Sequence, residues 1–177
     1  MKKALIGILV LALIGLGAWK YGSKPATINK TDKPVVKIGV ILPLTGSYST
    51  YGEAGKKSLQ MFEEDLKKRK LKNEYQFIVE ASDANDIKTC VNAARKVVLA
   101  DKADAVISIW NSAGVATTDI VKGKNIIHMN LGNDARTTIE KHNFNFGPSG
   151  DGQVNISLSE MKNLGTNKLA VIGVNNA

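Results

Sequence analysis

Residues 36–66, VKIGVILPLTGSYSTYGEAGKKSLQMFEEDL, decide how this chain is read. An apolar, β-branched run from Val35 to Leu42 stops at Pro43, passes through Thr45, Gly46, Ser47 and Tyr48, and enters a helical pattern. Such a run fits a strand buried on both faces, as in a parallel sheet flanked by helices. The stretch from Pro43 to Tyr51 reads as a loop longer than the usual strand-to-helix connection. Ligands of open α/β sheets sit at the carboxyl ends of the strands, so this loop is expected to bind one.

Working outward, residues 52–70 place Ala54, Ser58, Leu59, Phe62 and Leu66 on one helical face, with Lys56, Lys57, Glu63, Glu64 and Lys67 elsewhere. Residues 75–80 read as a second strand, and 82–86 as a turn whose Asp86 can cap a helix over 87–99. That helix repeats Ile87, Val91, Ala94 and Val98. A third strand over 105–110, a short helix over 112–121 and a fourth strand over 126–129 follow. Then come a polar loop over 130–138 and a short strand over 143–146. The alternation predicts an α/β fold, a parallel sheet with helices on both faces and right-handed connections. Gly147-Pro148-Ser149-Gly150 marks a boundary, beyond which a helix over 151–164, with Val154, Leu158 and Met161 on one side, and a strand over 168–174 are expected. A final parallel strand with no helix to cover it is half of a unit, so the chain reads as one part of a larger fold.

The first 34 residues stand apart. Met1-Lys2-Lys3 precedes a 16-residue run without charge, Ala4 to Trp19, which falls between a typical signal-peptide core and a comfortable membrane span. Residues 1–22 are therefore expected to be a signal peptide or an uncleaved membrane anchor, and the polar residues 23–34 a linker. Either reading means export. Six lysines and one aspartate lie in residues 1–34, so five of the eight net positive charges belong there and 18 basic residues face 15 acidic ones in the remainder. A domain so mildly basic gives no argument for nucleic acid. The lone cysteine, Cys90, lies in a helical pattern and can form no internal disulfide; its default reading is a small core residue.

Enzymatic signatures are missing. The junction Pro43-Leu44-Thr45-Gly46-Ser47-Tyr48 carries no G-x-G-x-x-G, and Gly46 and Gly52 are six apart where a P-loop needs five. No G-x-S-x-G exposes a serine nucleophile, and His128, His142 and Asp134 have no metal-ligand spacing. Asp83 and Asp86 have the sites of an ion ligand, but helix capping accounts for them with fewer assumptions. The basic run Lys67-Lys68-Arg69-Lys70-Leu71-Lys72 ends a predicted helix, where cations meet the negative end of the dipole, and reads as a solvated helix end. What remains is Trp110-Asn111-Ser112-Ala113-Gly114, where a strand gives way to a helix. There Ser112 either offers its hydroxyl, with exposed backbone N–H groups, to an anion or simply caps the helix.

These residues also resemble a family. Ile38-Gly39-Val40-Ile41-Leu42-Pro43-Leu44-Thr45-Gly46 followed by Tyr51-Gly52-Glu53, the turn Ser112-Ala113-Gly114-Val115-Ala116, and Phe144-x-Phe146 are similar, in order, to the branched-chain amino-acid binding proteins of ABC importers, type I periplasmic binding proteins. The resemblance implies two α/β lobes closing on a ligand: residues 35–147 as the first lobe, and 148–177 as the hinge crossing and the start of a second. It implies that Ser112 and Ala113 hold the ligand's carboxylate, that Gly132 and Asn133 lie near its ammonium group, and that Tyr51 walls the cleft. It implies no catalytic residue, no cofactor and no metal. The implied protein is a monomer at the outer face of the cytoplasmic membrane, with an amino acid or similar small solute as ligand and an ABC permease as partner. A ligand-sensing ectodomain on an uncleaved anchor is the alternative, and an exported α/β enzyme a distant third. With most of the second lobe absent, this portion alone is expected to bind weakly and to be poorly stable.

Overall fold

The computed structural model describes residues 33–172; the expected leader and nearly all of the linker lie outside that range, as do residues 173–177. Strand β1 (Val35–Thr45) runs between β2 (Glu74–Asp83) and β3 (Ala105–Ile109), and β4 (Ile127–Leu131) and β5 (Asn143–Asn145) continue the sheet in the order β2-β1-β3-β4-β5. Every pairing is parallel; Ile38, for instance, lies opposite Phe77 in β2 and Ala105 in β3. Four helices connect or follow the strands: α1 (Ser49–Lys68), α2 (Ile87–Arg95), α3 (Asn111–Val121) and α4 (Gly150–Asn163). This is the α/β architecture that the alternation of patterns predicts.

Successive side chains of a strand point to opposite faces, which fixes where the helices lie. A Cβ on Gly55 of α1 would rest 3.3 Å from Ile109 and 3.4 Å from Leu42, whereas Gly39 faces Val97 at the end of α2. Helix α1 therefore covers one face, and α2 and α3 the other. Between the sheet and α2 and α3, Ile41, Cys90, Ala93, Ala94, Val97, Val106, Ala113 and Ala116 form one buried cluster. Burying an Ile41 or Val97 side chain stabilises the fold by roughly 1.5–3 kcal/mol.

Several expectations need correction. Strand β1 does not stop at Pro43 but runs on to Thr45, with a register shift against β2 between Leu42 and Thr45. Proline has no N–H to give to the ladder, so it is tolerated where a bulge interrupts pairing. The expected roomy loop is accordingly a three-residue 3-10 turn, Gly46–Tyr48, entered by Gly46 at φ +74° and leading straight into α1. The expected face of α1 holds at Leu59 and Leu66, which are half-buried, and at Phe62, which packs on Phe77, but in the first turns the contact is made by Gly52 and Gly55 while Ala54 and Ser58 are exposed. A Cβ on Gly52 would collide with the Pro43 carbonyl oxygen, so the closest approach of α1 to β1 is made by a residue with no side chain to mark it. Helix α2 matches its expected start, with Asp86 accepting from Lys88 N at 2.9 Å, and continues through a π-helical turn, Lys96–Ala100. Ala94 and Val98 of its expected apolar face are buried and Val91 packs on the core, Ile87 is half exposed, and Cys90, Ala93 and Val97 are buried as well.

Beyond β3 the sheet changes character. His128 and Asn130 of β4 are fully buried on the α3 side, whereas Ile127, Met129 and Leu131 point to the other face and are exposed. Helix α4 buries no residue; Val154 and Leu158 of its expected inner face are exposed, and residues 168–172, expected to begin a strand, pair with none. A parallel strand needs a neighbour and a covering helix, and none of the described residues supplies them. Among the described residues no helix is long and apolar enough to cross a membrane.

Candidate functional site

The carboxyl edge of the sheet gathers the residues that the sequence marks. Tyr48 in the 3-10 turn, Tyr51 in the first turn of α1 and Trp110 between β3 and α3 form an aromatic group. Ring centroids lie 4.5 Å apart for Tyr48 and Trp110, and 5.4 Å apart for Tyr51 and Trp110. Tyr51 is 60% exposed, so the group is a surface wall and not core. Trp110 has φ 87° and ψ 156°, a conformation that bulky residues rarely adopt and that costs roughly 1–3 kcal/mol unless the surroundings enforce it. The surroundings here are two backbone hydrogen bonds, Trp110 N to Leu131 O and Gly114 N to Trp110 O, both 3.0 Å. They hold the junction between β4 and the first turn of α3.

Asn111 ties this junction to the next loop. Its Oδ1 accepts from Asn133 N at 2.8 Å and from Asp134 N at 3.2 Å, and its Nδ2 donates to Asn133 Oδ1 at 2.7 Å. An open cavity of about 510 Å³ results, lined by Trp110, Asn111, Leu131, Gly132, Asn133, Phe146, Gly147 and Pro148. Its volume lies within the usual range for small-molecule sites. Beside it α3 begins. Its first intrahelical bond is made by Gly114 N, so the amides of Asn111, Ser112 and Ala113 precede the helical ladder and no side chain caps them. Such a helix end favours negative charge.

Ser112 does not cap its helix. Its hydroxyl donates to Ala84 O at 2.7 Å, fastening α3 to the loop after β2, and Trp110, not Ser112, occupies the cap position. Of the five residues singled out, Gly132 and Asn133 line the cavity, Tyr51 joins it through the Trp110 ring, and Ser112 and Ala113 open the neighbouring helix with the Ala113 side chain buried. The residues that the sequence reading passed over are Trp110, Tyr48 and Asn111. Their signal was present in the Trp110–Asn111 pair at a strand-to-helix junction, but the weight fell on the serine that follows.

A buried polar layer underlies the site. Ser108 Oγ lies 2.8 Å from His128 Nε2 and 2.8 Å from the Asn130 side-chain amide, and Asn143 Nδ2 donates to Thr118 Oγ1 at 3.0 Å. Burial pulls the His128 pKa down to about 4, so the ring is neutral at physiological pH. Ser108 and His128 are both fully buried, which shuts this serine–histidine pair away from any substrate. Cys90 is likewise buried, its thiol pKa pushed up by desolvation. Asp83 and Asp86 act as caps, accepting from Asn85 N and Lys88 N at 2.9 Å each. At the rim, hydrogen bonds from Arg136 hold the Asp134 carboxyl below its usual pKa. No group of three or more His, Cys, Asp and Glu among the described residues is placed to hold a metal ion.

A family model described as periplasmic binding protein matches residues 35–177, most of the chain. The chain belongs to the periplasmic binding protein family. No curated protein matches it. Among solved periplasmic binding proteins, a solute-binding protein of an ABC transporter from Rhodopseudomonas palustris, in complex with 4-hydroxybenzoate, superposes with a TM-score of 0.62 at 12% identity, over 74% of this chain and 36% of the other. The branched-chain amino acid transporter substrate-binding protein of Streptococcus pneumoniae, in complex with isoleucine, gives 0.58 at 16% identity, over 65% and 34%. An ABC-type branched-chain amino acid transporter from Rhodopseudomonas palustris gives 0.56 at 18%, over 64% and 33%. At such identities the likeness is one of fold. The chain spans about a third of the length of these neighbours.

Proposed function

We propose that this chain contributes one wall of the ligand cleft of an extracytoplasmic solute-binding protein that delivers a small carboxylate to an ABC permease. The supporting observation is the cavity at the carboxyl edge, lined by Trp110 and by the loop that Asn111 ties, with the uncapped start of α3 following directly on those residues and the Tyr48 and Tyr51 rings packed on Trp110. The amides of Ser112 and Ala113 take the carboxylate, since a helix N-terminus stabilises negative charge without a dedicated cation. Gly132 and Asn133, held against Asn111, lie near the ligand's ammonium group, and Trp110 with Tyr51 packs on its apolar body. The ligand is a branched-chain amino acid or a similar small acid. Isoleucine and 4-hydroxybenzoate, bound by two of the solved neighbours, share that chemistry: one carboxylate on an apolar body. No step of this function needs a nucleophile, a cofactor or a metal.

Thermal unfolding against a panel of amino acids and aromatic acids tests the reading, because a ligand at a hundredfold excess over its Kd adds about 2.7 kcal/mol to the folded state. Concentration-dependent stabilisation by isoleucine, leucine, valine or a benzoate supports it. Flat curves across the whole panel, from a chain that melts cooperatively, contradict it.

A further inference from the structure

Because all five strands are parallel, the described fold has an amino edge and a carboxyl edge, and charge is divided unequally between them. The amino edge is made of residues 33–34, the last turn of α1 with the loop to residue 73, and the loops 101–104, 122–126 and 139–142. Ten basic side chains lie there, Lys67, Lys68, Arg69, Lys70 and Lys72 among them, against four acidic ones, Asp65, Asp101, Asp104 and Glu140, with Glu74 at the start of β2 beside them. All ten are exposed. Among the described residues Arg69, with Asp65, is the one member of the ten in an ion pair. The carboxyl edge, where the ligand cavity opens, carries five acidic residues, Glu53, Asp83, Asp86, Asp134 and Asp151, against two basic ones, Lys88 and Arg136.

Helix dipoles do not account for this division. A cation in the last turn of a helix complements its negative end, which explains Lys67 and Lys68 but not Lys70, Lys72, Lys102, Lys124 or Lys141 in the loops beyond. The amino edge is also where the chain enters β1 directly from the lysine-bearing residues 20–34, which follow the uncharged run of residues 4–19. Basic residues next to a membrane segment each gain attraction from anionic headgroups, within a Debye length of the surface.

We propose that the amino edge is a docking surface for an anionic lipid bilayer, which holds the domain with its ligand cavity turned away from the membrane. The proposal does not depend on which solute the cavity takes. The occupant is a phospholipid surface because the basic groups are spread over four separate loops and one helix end, as a broad anionic plane requires, and do not converge on one cavity.

The test is co-sedimentation of the full chain with vesicles of phosphatidylcholine alone and of phosphatidylcholine with about 30 mol% phosphatidylglycerol. The apolar leader-like run acts on both lipids, so the quantity read is the gain in partitioning that phosphatidylglycerol gives. A variant with Lys67, Lys68, Lys70 and Lys72 all changed to Gln is expected to lose that gain by roughly tenfold or more. A second variant, with Lys102→Gln, Lys124→Gln and Lys141→Gln on three other loops, is expected to lose it by several-fold. A control with Lys56→Gln, Lys57→Gln, Lys88→Gln and Lys162→Gln removes as much charge away from this edge and is expected to stay within about twofold of the parent. Equal losses in the control and the first variant would reduce the effect to net charge and overturn the proposal. An unchanged gain in the first two variants would place the attraction in residues 1–34 and overturn it as well.

Discussion

The two halves of the sheet are built from opposite materials. Around β1 the strand is buried on both faces, with Val40, Ile41 and Leu42 each less than 5% exposed, and α1 and α2 cover it from the two sides. Around β4 the buried positions are His128 and Asn130, and the apolar residues Met129 and Leu131 face outward. The first half is a conventional hydrophobic core. The second is a hydrogen-bonded layer backed by a bare apolar face, beside which the cavity opens. Stability and the proposed ligand site are thus divided between the halves.

That division makes four predictions, in falling order of effect. Ile41→Ala, in the closed half, should destabilise the chain by roughly 3–4 kcal/mol in urea unfolding, since the surrounding cluster cannot collapse onto the space. If it costs no more than a surface substitution, the β1 half is not the core. The open half should instead respond to pH. His128 has a folded pKa of about 4 against about 6.5 when unfolded, so the unfolded chain takes up the proton first. Its contribution is complete above pH 6.5 and is lost as pH falls toward 4, by about 3 kcal/mol in all. Urea midpoints measured across this range should fall steeply in the parent and much less in His128→Gln; parallel curves would show that His128 is not the group responsible.

Third, Asn111→Ala should cost about 2 kcal/mol, because it strands the amides of Asn133 and Asp134. Hydrogen exchange at those two amides should speed up while exchange at Val40 and Val106 follows only the global loss; protected Asn133 and Asp134 amides would refute the staple. The smallest effect belongs to the bare face. Met129→Thr or Leu131→Thr should change stability by less than about 0.5 kcal/mol in urea unfolding. A loss of several kcal/mol would mean that this face is packed in solution.

The sequence made strand type and order legible because β-branched runs alternate with three- and four-residue periodicities, and a buried parallel strand announces itself through several adjacent apolar residues. It was less informative wherever geometry depends on distant partners. Pro43 looks like a strand end, yet the bulge against β2 absorbs it. The contact face of α1 is legible at Leu59, Phe62 and Leu66 but not in its first turns, because the residue closest to β1, Gly52, has no side chain to show in a hydrophobic pattern. The expected apolar faces of α4 and of residues 168–172 are real in composition, but Leu158 and Met161 meet only Leu169 around an open cavity and neither segment packs on the sheet. At the site, the strand-to-helix junction at Trp110 could be read from composition. The left-handed turn of Trp110 could not, because no glycine or asparagine signals it. Nor could the Asn111 staple, whose partner stands 22 residues away. The engagement of the Ser112 hydroxyl by Ala84 O depends on packing α3 against the loop after β2, which no local pattern encodes.

The account rests on the carboxyl-edge cavity taking a small carboxylate at the start of α3. Backbone amide NMR of the chain, titrated with isoleucine and with 4-hydroxybenzoate, tests this most directly. Saturable shifts at Ser112, Ala113, Gly132 and Asn133 and at the Trp110 indole, with the amino edge unmoved, are the predicted result. Shifts confined to other residues, or none in a well-dispersed spectrum at millimolar ligand, would contradict it.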